Sequence, residues 1–148
     1  MQLTRPLTTM TAAVCMAGFL PLSVLAQDTT APGISLELNT AADTPEGGCR
    51  LTYVAANRSG QAMAAISYQV AVFDAQGIVT DLLVLEFGNL TDGKTKVVQF
   101  DLGGRACADI SRITVNEVAD CTLADGTVGD FCLSTLETGS RGTIQFGI

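Results

Sequence analysis

The sequence has no histidine and no tryptophan, only 5% aromatic residues, and only 8 Lys and Arg against 15 Asp and Glu. Each shortage excludes a class of function. Without His, a Ser or Cys nucleophile lacks its usual base, which removes the commonest hydrolase designs. A zinc site is excluded in the same way, because no two cysteines lie at the close spacing that zinc ligands use and no His can complete the set. The formal net charge is −7, and Arg50, Arg58, Lys94, Lys96, Arg105, Arg112 and Arg141 are scattered among acids. Binding DNA or RNA needs a basic footprint that neutralises phosphates, so no nucleic-acid partner is expected. Long apolar runs are also missing. The densest, Ala12 to Leu20, is about half the roughly 20 residues that span a bilayer, and Pro21 interrupts it.

The amino terminus carries an export pattern. Arg5 precedes the uncharged stretch Met10 to Ala26, which ends in Val24-Leu25-Ala26 before the polar Gln27-Asp28. A charged start, a short apolar middle and small residues at the cut predict a cleavable signal peptide over residues 1–26, with no membrane anchor left after cleavage. Pro6 follows Arg5, which departs from a twin-arginine address, and bulky Val14 precedes Cys15, which argues against lipid attachment there. Cleavage takes 26 of the 148 residues and one positive charge, leaving 27–148 as one expected domain with seven basic and fifteen acidic side chains. The expected localisation is periplasmic or secreted.

Export changes the reading of the cysteines. Cys15 leaves with the signal, and Cys49, Cys107, Cys121 and Cys132 remain as an even set, whose default use in an oxidising compartment is disulfides. A redox-active pair is disfavoured because the two-residue spacing that tunes a reactive thiolate is missing.

The rest of the chain is a rhythm of short apolar runs and turns. Ile34 to Leu38 alternates apolar and polar side chains, and Ala41 to Gly48 reads as a turn. Cys49 to Ala56 sets Leu51 and Tyr53 on one face. Ala65 to Asp74 is the clearest strand, with Ile66, Tyr68, Val70 and Val72 on one side. Asp74-Ala75-Gln76-Gly77 supplies a tight turn into the apolar run Ile78 to Phe87, a hairpin. After a turn over Asn89 to Lys94, Thr95 to Leu102 sets Lys96, Val98, Phe100 and Leu102 on one face, with Lys96 snorkelling at the edge. Ile110 to Val118 is a further strand, and Leu133 to Thr138 and Thr143 to Ile148 are weaker ones. The expectation is an all-β, immunoglobulin-like antiparallel β-sandwich of about seven strands. If the strand from Cys49 lies antiparallel to the one ending at Leu102, Cys49 comes close to Cys107. Cys121 then pairs with Cys132 around a loop rich in Gly and Asp.

Part of this pattern resembles a known module. Tyr53-Val54-Ala55-Ala56-Asn57-Arg58-Ser59-Gly60, then Val70-Ala71-Val72-Phe73-Asp74-Ala75-Gln76-Gly77 and Thr91-Asp92-Gly93-Lys94-Thr95, resemble the immunoglobulin-like FxLYD domain, with its N-x-S loop, its V-x-V-x-F/Y-D-x-x-G hairpin and its D-G-x-T turn. The resemblance covers about half of residues 27–148. The chain as a whole, with its four cysteines and Cys49-Arg50 after Gly47-Gly48, is also similar to a group of small exported proteins of alphaproteobacteria. These resemblances imply a fold and a compartment, and assign no catalytic, cofactor or metal residue.

Two functional expectations follow. The first is a non-catalytic binding or accessory module that offers an edge strand or loop end to another periplasmic or envelope protein. The alternative places a calcium or ligand site, or a His-independent enzyme, on the acidic loop holding Asp120, Asp125 and Asp130, although its spacing is not that of an EF-hand. Paired carboxylates could serve a glycosidase, but Asp74, Asp92, Asp109, Asp125 and Asp130 sit at turns, where an Asp bonds the local backbone. Asn57-Arg58-Ser59 and Asn89-Leu90-Thr91 match the glycosylation pattern and are equally ordinary turns.

Overall fold

A computed structural model describes residues 32–148; the expected signal peptide, residues 1–26, lies outside the described residues. The alternating runs become strands. Ile34–Asp43 (β1) and Cys49–Asn57 (β2) form an antiparallel pair in which Leu36 lies opposite Ala55 and Leu38 opposite Tyr53. Met63–Phe73 (β3) buries Ile66, Tyr68, Val70 and Val72 and pairs with Val79–Leu90 (β4). Their turn is held by Asp74, whose carboxylate accepts the N–H groups of Gln76 and Ile78 at 2.9 and 2.8 Å, while Gly77 takes φ 79°. Thr95–Leu102 (β5), Arg112–Leu123 (β6), Leu136–Ser140 (β7) and Gln145–Gly147 (β8) complete the set.

The strands form two sheets, β5-β2-β1-β7 and β4-β3-β6-β8, whose apolar faces close on one core. The architecture is an all-β, immunoglobulin-like sandwich of eight strands, and its only helical element among the described residues is the short 3₁₀ turn Cys107–Asp109. The scarce aromatic residues are spent at its centre. Tyr53 meets Phe87, Phe100 and Phe146 edge to face at centroid distances of 5.7, 5.9 and 5.0 Å, and Phe87 also meets Phe100 at 5.3 Å. Each such contact adds about 0.5–1.5 kcal/mol to area burial.

The two tyrosines differ in one respect that decides a pair of mutants. The Tyr68 hydroxyl donates to the Cys132 carbonyl at 2.7 Å, whereas the buried Tyr53 hydroxyl has no partner among the described residues. Removing a satisfied buried hydroxyl orphans its acceptor; removing an unsatisfied one relieves a desolvation cost. Tyr68→Phe is expected to cost about 1–2 kcal/mol and Tyr53→Phe to be neutral or stabilising by up to about 1 kcal/mol. Urea unfolding of the two variants checks this, and the reverse order would refute it.

Several strand bounds and two pairing directions differ from the sequence reading; β4, for one, runs on to Leu90, so the turn expected over Asn89 to Lys94 starts only after it. The turn expected over Ala41 to Gly48 is shorter, because β1 continues through Asp43 after a bulge between Leu38 and Thr40 and pairs Ala42 with Arg50. These positions are exposed, so backbone pairing extends the strand where no burial pattern reports it. Strand β6 runs on to Leu123 and carries Cys121. The expected strand at Leu133 begins only at Leu136, because Thr135 donates both its N–H and its hydroxyl to the Phe131 carbonyl and holds a turn.

The tail strands are parallel to their neighbours, β7 to β1 and β8 to β6, where an all-antiparallel sandwich was expected. The disulfide from Cys121 keeps the chain at the end of the sandwich where β6 finishes. Strand β1 starts at that same end, so β7, starting beside it, runs in its direction. The reversal over residues 141–144 then sends β8 back along β6.

Candidate functional site

The four cysteines form two bridges, Cys49 to Cys107 and Cys121 to Cys132, with Cα separations of 4.8 and 6.1 Å. The first follows from register: Cys49 lies opposite Leu102 in the β2–β5 ladder, and the chain after Leu102 folds back over it. The second closes the acidic loop against β6, and Gly129 is required there, since a Cβ on it would sit 2.8 Å from the Cys121 sulfur. Two structural disulfides suit an oxidising compartment outside the cytoplasm. No helix among the described residues is long and apolar enough to cross a membrane.

The acids of that loop are not gathered. The Asp125 carboxylate accepts the Thr127 N–H at 2.9 Å and its hydroxyl at 2.6 Å, and Asp120 accepts the Thr122 hydroxyl at 2.6 Å. Among the described residues no three Cys, Asp or Glu side chains stand where they could share a cation. The Thr127 hydroxyl holds the Asp125 carboxyl below its ordinary range, so the stabilisation from this turn is present above the ordinary aspartate value of 3.8 and fades as pH falls through the lower folded value. Adding calcium or a chelator is expected to move the melting temperature by less than about 1 °C, since a cation that does not bind the native state cannot stabilise it. A substantial shift in differential scanning fluorimetry would restore the cation-site reading.

The two glycosylation matches separate on burial. The Asn57 side chain is 0% exposed; its amide donates to the carbonyls of Gln61 and Leu90 at 2.7 and 3.0 Å, and its oxygen accepts the N–H and hydroxyl of Ser59. It bolts the β2–β3 connection to the end of β4, and is a folding residue. Asn89 is exposed.

On one side of the sandwich β4 and β5, the outer strands of the two sheets, form a seam. Here lies a cleft of about 510 Å³ with Leu83, Leu85, Phe100 and Leu102 on its walls and Asp81, Asp101 and Arg105 at its rim. Strand β4 pairs with β3 on one side and, among the described residues, with no strand on the other. Native edge strands are blunted by charge or bulges, and β4 is blunted at its two ends. Lys96 donates to the carbonyls of Phe87 and Asn89 at 2.7 and 3.3 Å, and Arg105 forms an ion pair with Asp81. Between them Leu82 and Val84 turn outward, 62% and 46% exposed, with Ala71 beside Leu82 on β3. Glu86 follows them at the end of this stretch. No sequence reading singled this edge out, although the run from Ile78 to Phe87 carries apolar residues on both of its faces, which is its trace in the sequence.

No family model matches the chain, and no curated protein matches it. Among solved structures it is similar to IrmA from Escherichia coli, at 13% identity and a TM-score of 0.56, over 72% of this chain and 90% of that one, a likeness of fold alone.

Proposed function

We propose that the protein is an exported, non-catalytic binding module that offers the free edge of β4 to another protein of the periplasm or envelope. One observation carries this reading. A long edge strand leaves three large apolar side chains, Val79, Leu82 and Val84, in solvent beside a cleft walled by Leu83, Leu85, Phe100 and Leu102, and added strands are held by main-chain hydrogen bonds with side chains in flanking pockets. The amino-terminal export pattern and the two disulfides support the compartment.

Site-specific photo-cross-linking in exporting cells tests the edge. A cross-linkable residue at Val84 is expected to give a discrete adduct that disappears in a Leu82→Asp background. The same residue at Val128, 83% exposed on the disulfide loop, is expected to give none. Equal adducts from both positions, or none from Val84, would overturn the assignment.

A further inference from the structure

The charges around the β4 edge say what kind of segment fits it. Three cations at the seam are already engaged: Arg105 with Asp81, Arg50 with Asp101 at 2.7 Å, and Lys96 with two β4 carbonyls. Glu86, at the end of the open stretch, has no cationic partner among the described residues, and neither has Asp120. The two flank a notch of about 200 Å³ whose floor is made by small residues, Ala65, Ser67 and Gly88. In the ladder Glu86 lies opposite Ser67 and Ser67 opposite Asp120, so both carboxylates stand on one outer face with only a serine between them.

We propose that β4 takes an extended protein segment whose apolar side chains alternate and which carries a Lys or Arg opposite Glu86. The inference rests on the reading of β4 as a docking edge and adds the chemistry of its occupant. A strand laid along β4 sends alternate side chains to the two faces of the extended sheet. Those directed inward meet Leu83, Leu85, Phe100 and Leu102 on the walls of the cleft, where apolar side chains find apolar partners, below a rim of Asp81, Asp101 and Arg105. Those directed outward lie beside Leu82, Val84 and Glu86, at the spacing where cross-strand pairs interact. A cation next to Glu86, with Asp120 behind it, is the side chain this row lacks.

A second copy of the chain does not meet the requirement. Its β4 carries Asp81 and Glu86 and no Lys or Arg, and the full chain has a net charge of −7, so two copies edge to edge leave Glu86 unpaired and add repulsion.

Fluorescence anisotropy on the full disulfide-bonded protein tests this with two short labelled peptides. Both alternate valine and threonine; one carries two lysines at one end, the other two glutamates. The lysine peptide is expected to bind at least about tenfold more tightly, to weaken as salt rises, and to lose about tenfold in affinity with Glu86→Lys or the near-isosteric Val84→Thr. Both substitutions are at exposed positions, and unchanged melting temperatures confirm that they leave the fold intact. Equal binding of the glutamate peptide overturns the charge rule and leaves the docking edge standing. Binding that ignores both substitutions places the site elsewhere and overturns the proposal. If neither peptide binds while Val84 still cross-links a partner, the occupant chemistry is wrong and the edge is right; if the cross-link is also absent, both fall.

Discussion

Replacing Asn57 by Ala is expected to destabilise the protein by about 3 kcal/mol, a large fraction of the stability of a domain this size. The side chain makes four hydrogen bonds in a fully buried position, and two of them go to main-chain carbonyls, of Gln61 and Leu90. Alanine removes the donors and leaves the Leu90 carbonyl with no side-chain partner inside the protein, and each such orphan costs about 1–3 kcal/mol. The backbone of Asn57 adds to the same junction, since its N–H donates to Lys94 and its carbonyl accepts from Gly93 at 3.0 and 2.9 Å. Asn57→Asp keeps the acceptor for Ser59 but loses both donors and buries a charge, so it is expected to cost at least as much. Asn89→Ala, at an exposed site, should stay within about 0.5 kcal/mol of wild type. Chemical denaturation of the three variants measures these values; a cost below about 1 kcal/mol for Asn57→Ala would remove the bolt from the account of the fold.

The contrast between these two asparagines shows what could be read from the chain. Both sit in sequences of the same pattern, and only burial separates a structural bolt, Asn57, from an exposed residue near the end of β4, Asn89. Burial of a polar side chain is a tertiary property: Asn57 is enclosed because Gln61 and Leu90 close over it, and Leu90 is 33 residues away. The strands were legible where one face is buried. Ile66, Tyr68, Val70 and Val72 alternate with smaller or polar neighbours and form the inner face of β3, and the Cys49–Cys107 bridge follows from the antiparallel pairing of β2 with β5. The ends of β1 and the pairing of β7 and β8 were not legible, because exposed backbone pairing leaves no hydrophobic period and a parallel partner is chosen by where a loop returns the chain.

The candidate site was hidden for a related reason. A run apolar on both faces, such as Ile78 to Phe87, describes either a strand covered on both sides or an edge strand with an exposed patch. Which of the two holds depends on strand order, and strand order is a property of the whole sheet. The acidic loop attracted attention in the sequence because its carboxylates are close along the chain, yet Asp120 and Asp125 each turn to a nearby threonine. Glu86 and Asp120 are 34 positions apart and flank Ser67 from the two sides of β3. Proximity along the chain therefore brought out Asp120 but not Glu86, which reaches the same face from another strand.

Removing the Cys49–Cys107 bridge by a double alanine substitution is expected to cost about 4 kcal/mol, and removing Cys121–Cys132 about 3 kcal/mol, because the first closes the wider loop, with a separation of 58 residues against 11. The wider bridge also joins the first residue of β2 to the connection that crosses between the sheets, so its loss frees strands of both. The shorter bridge does a local task that loop entropy does not count: it fixes Cys132, whose carbonyl receives the Tyr68 hydroxyl in the core. The two contributions are separable by a double-mutant cycle. If Cys121–Cys132 positions that acceptor, Tyr68→Phe should cost less in the Cys121→Ala/Cys132→Ala background than in wild type, whereas in the Cys49→Ala/Cys107→Ala background its cost should be unchanged. Equal costs of Tyr68→Phe in all three backgrounds would mean that the loop holds its place without the disulfide. A larger loss from the shorter bridge would show that anchoring the acidic loop outweighs the chain entropy of the longer one.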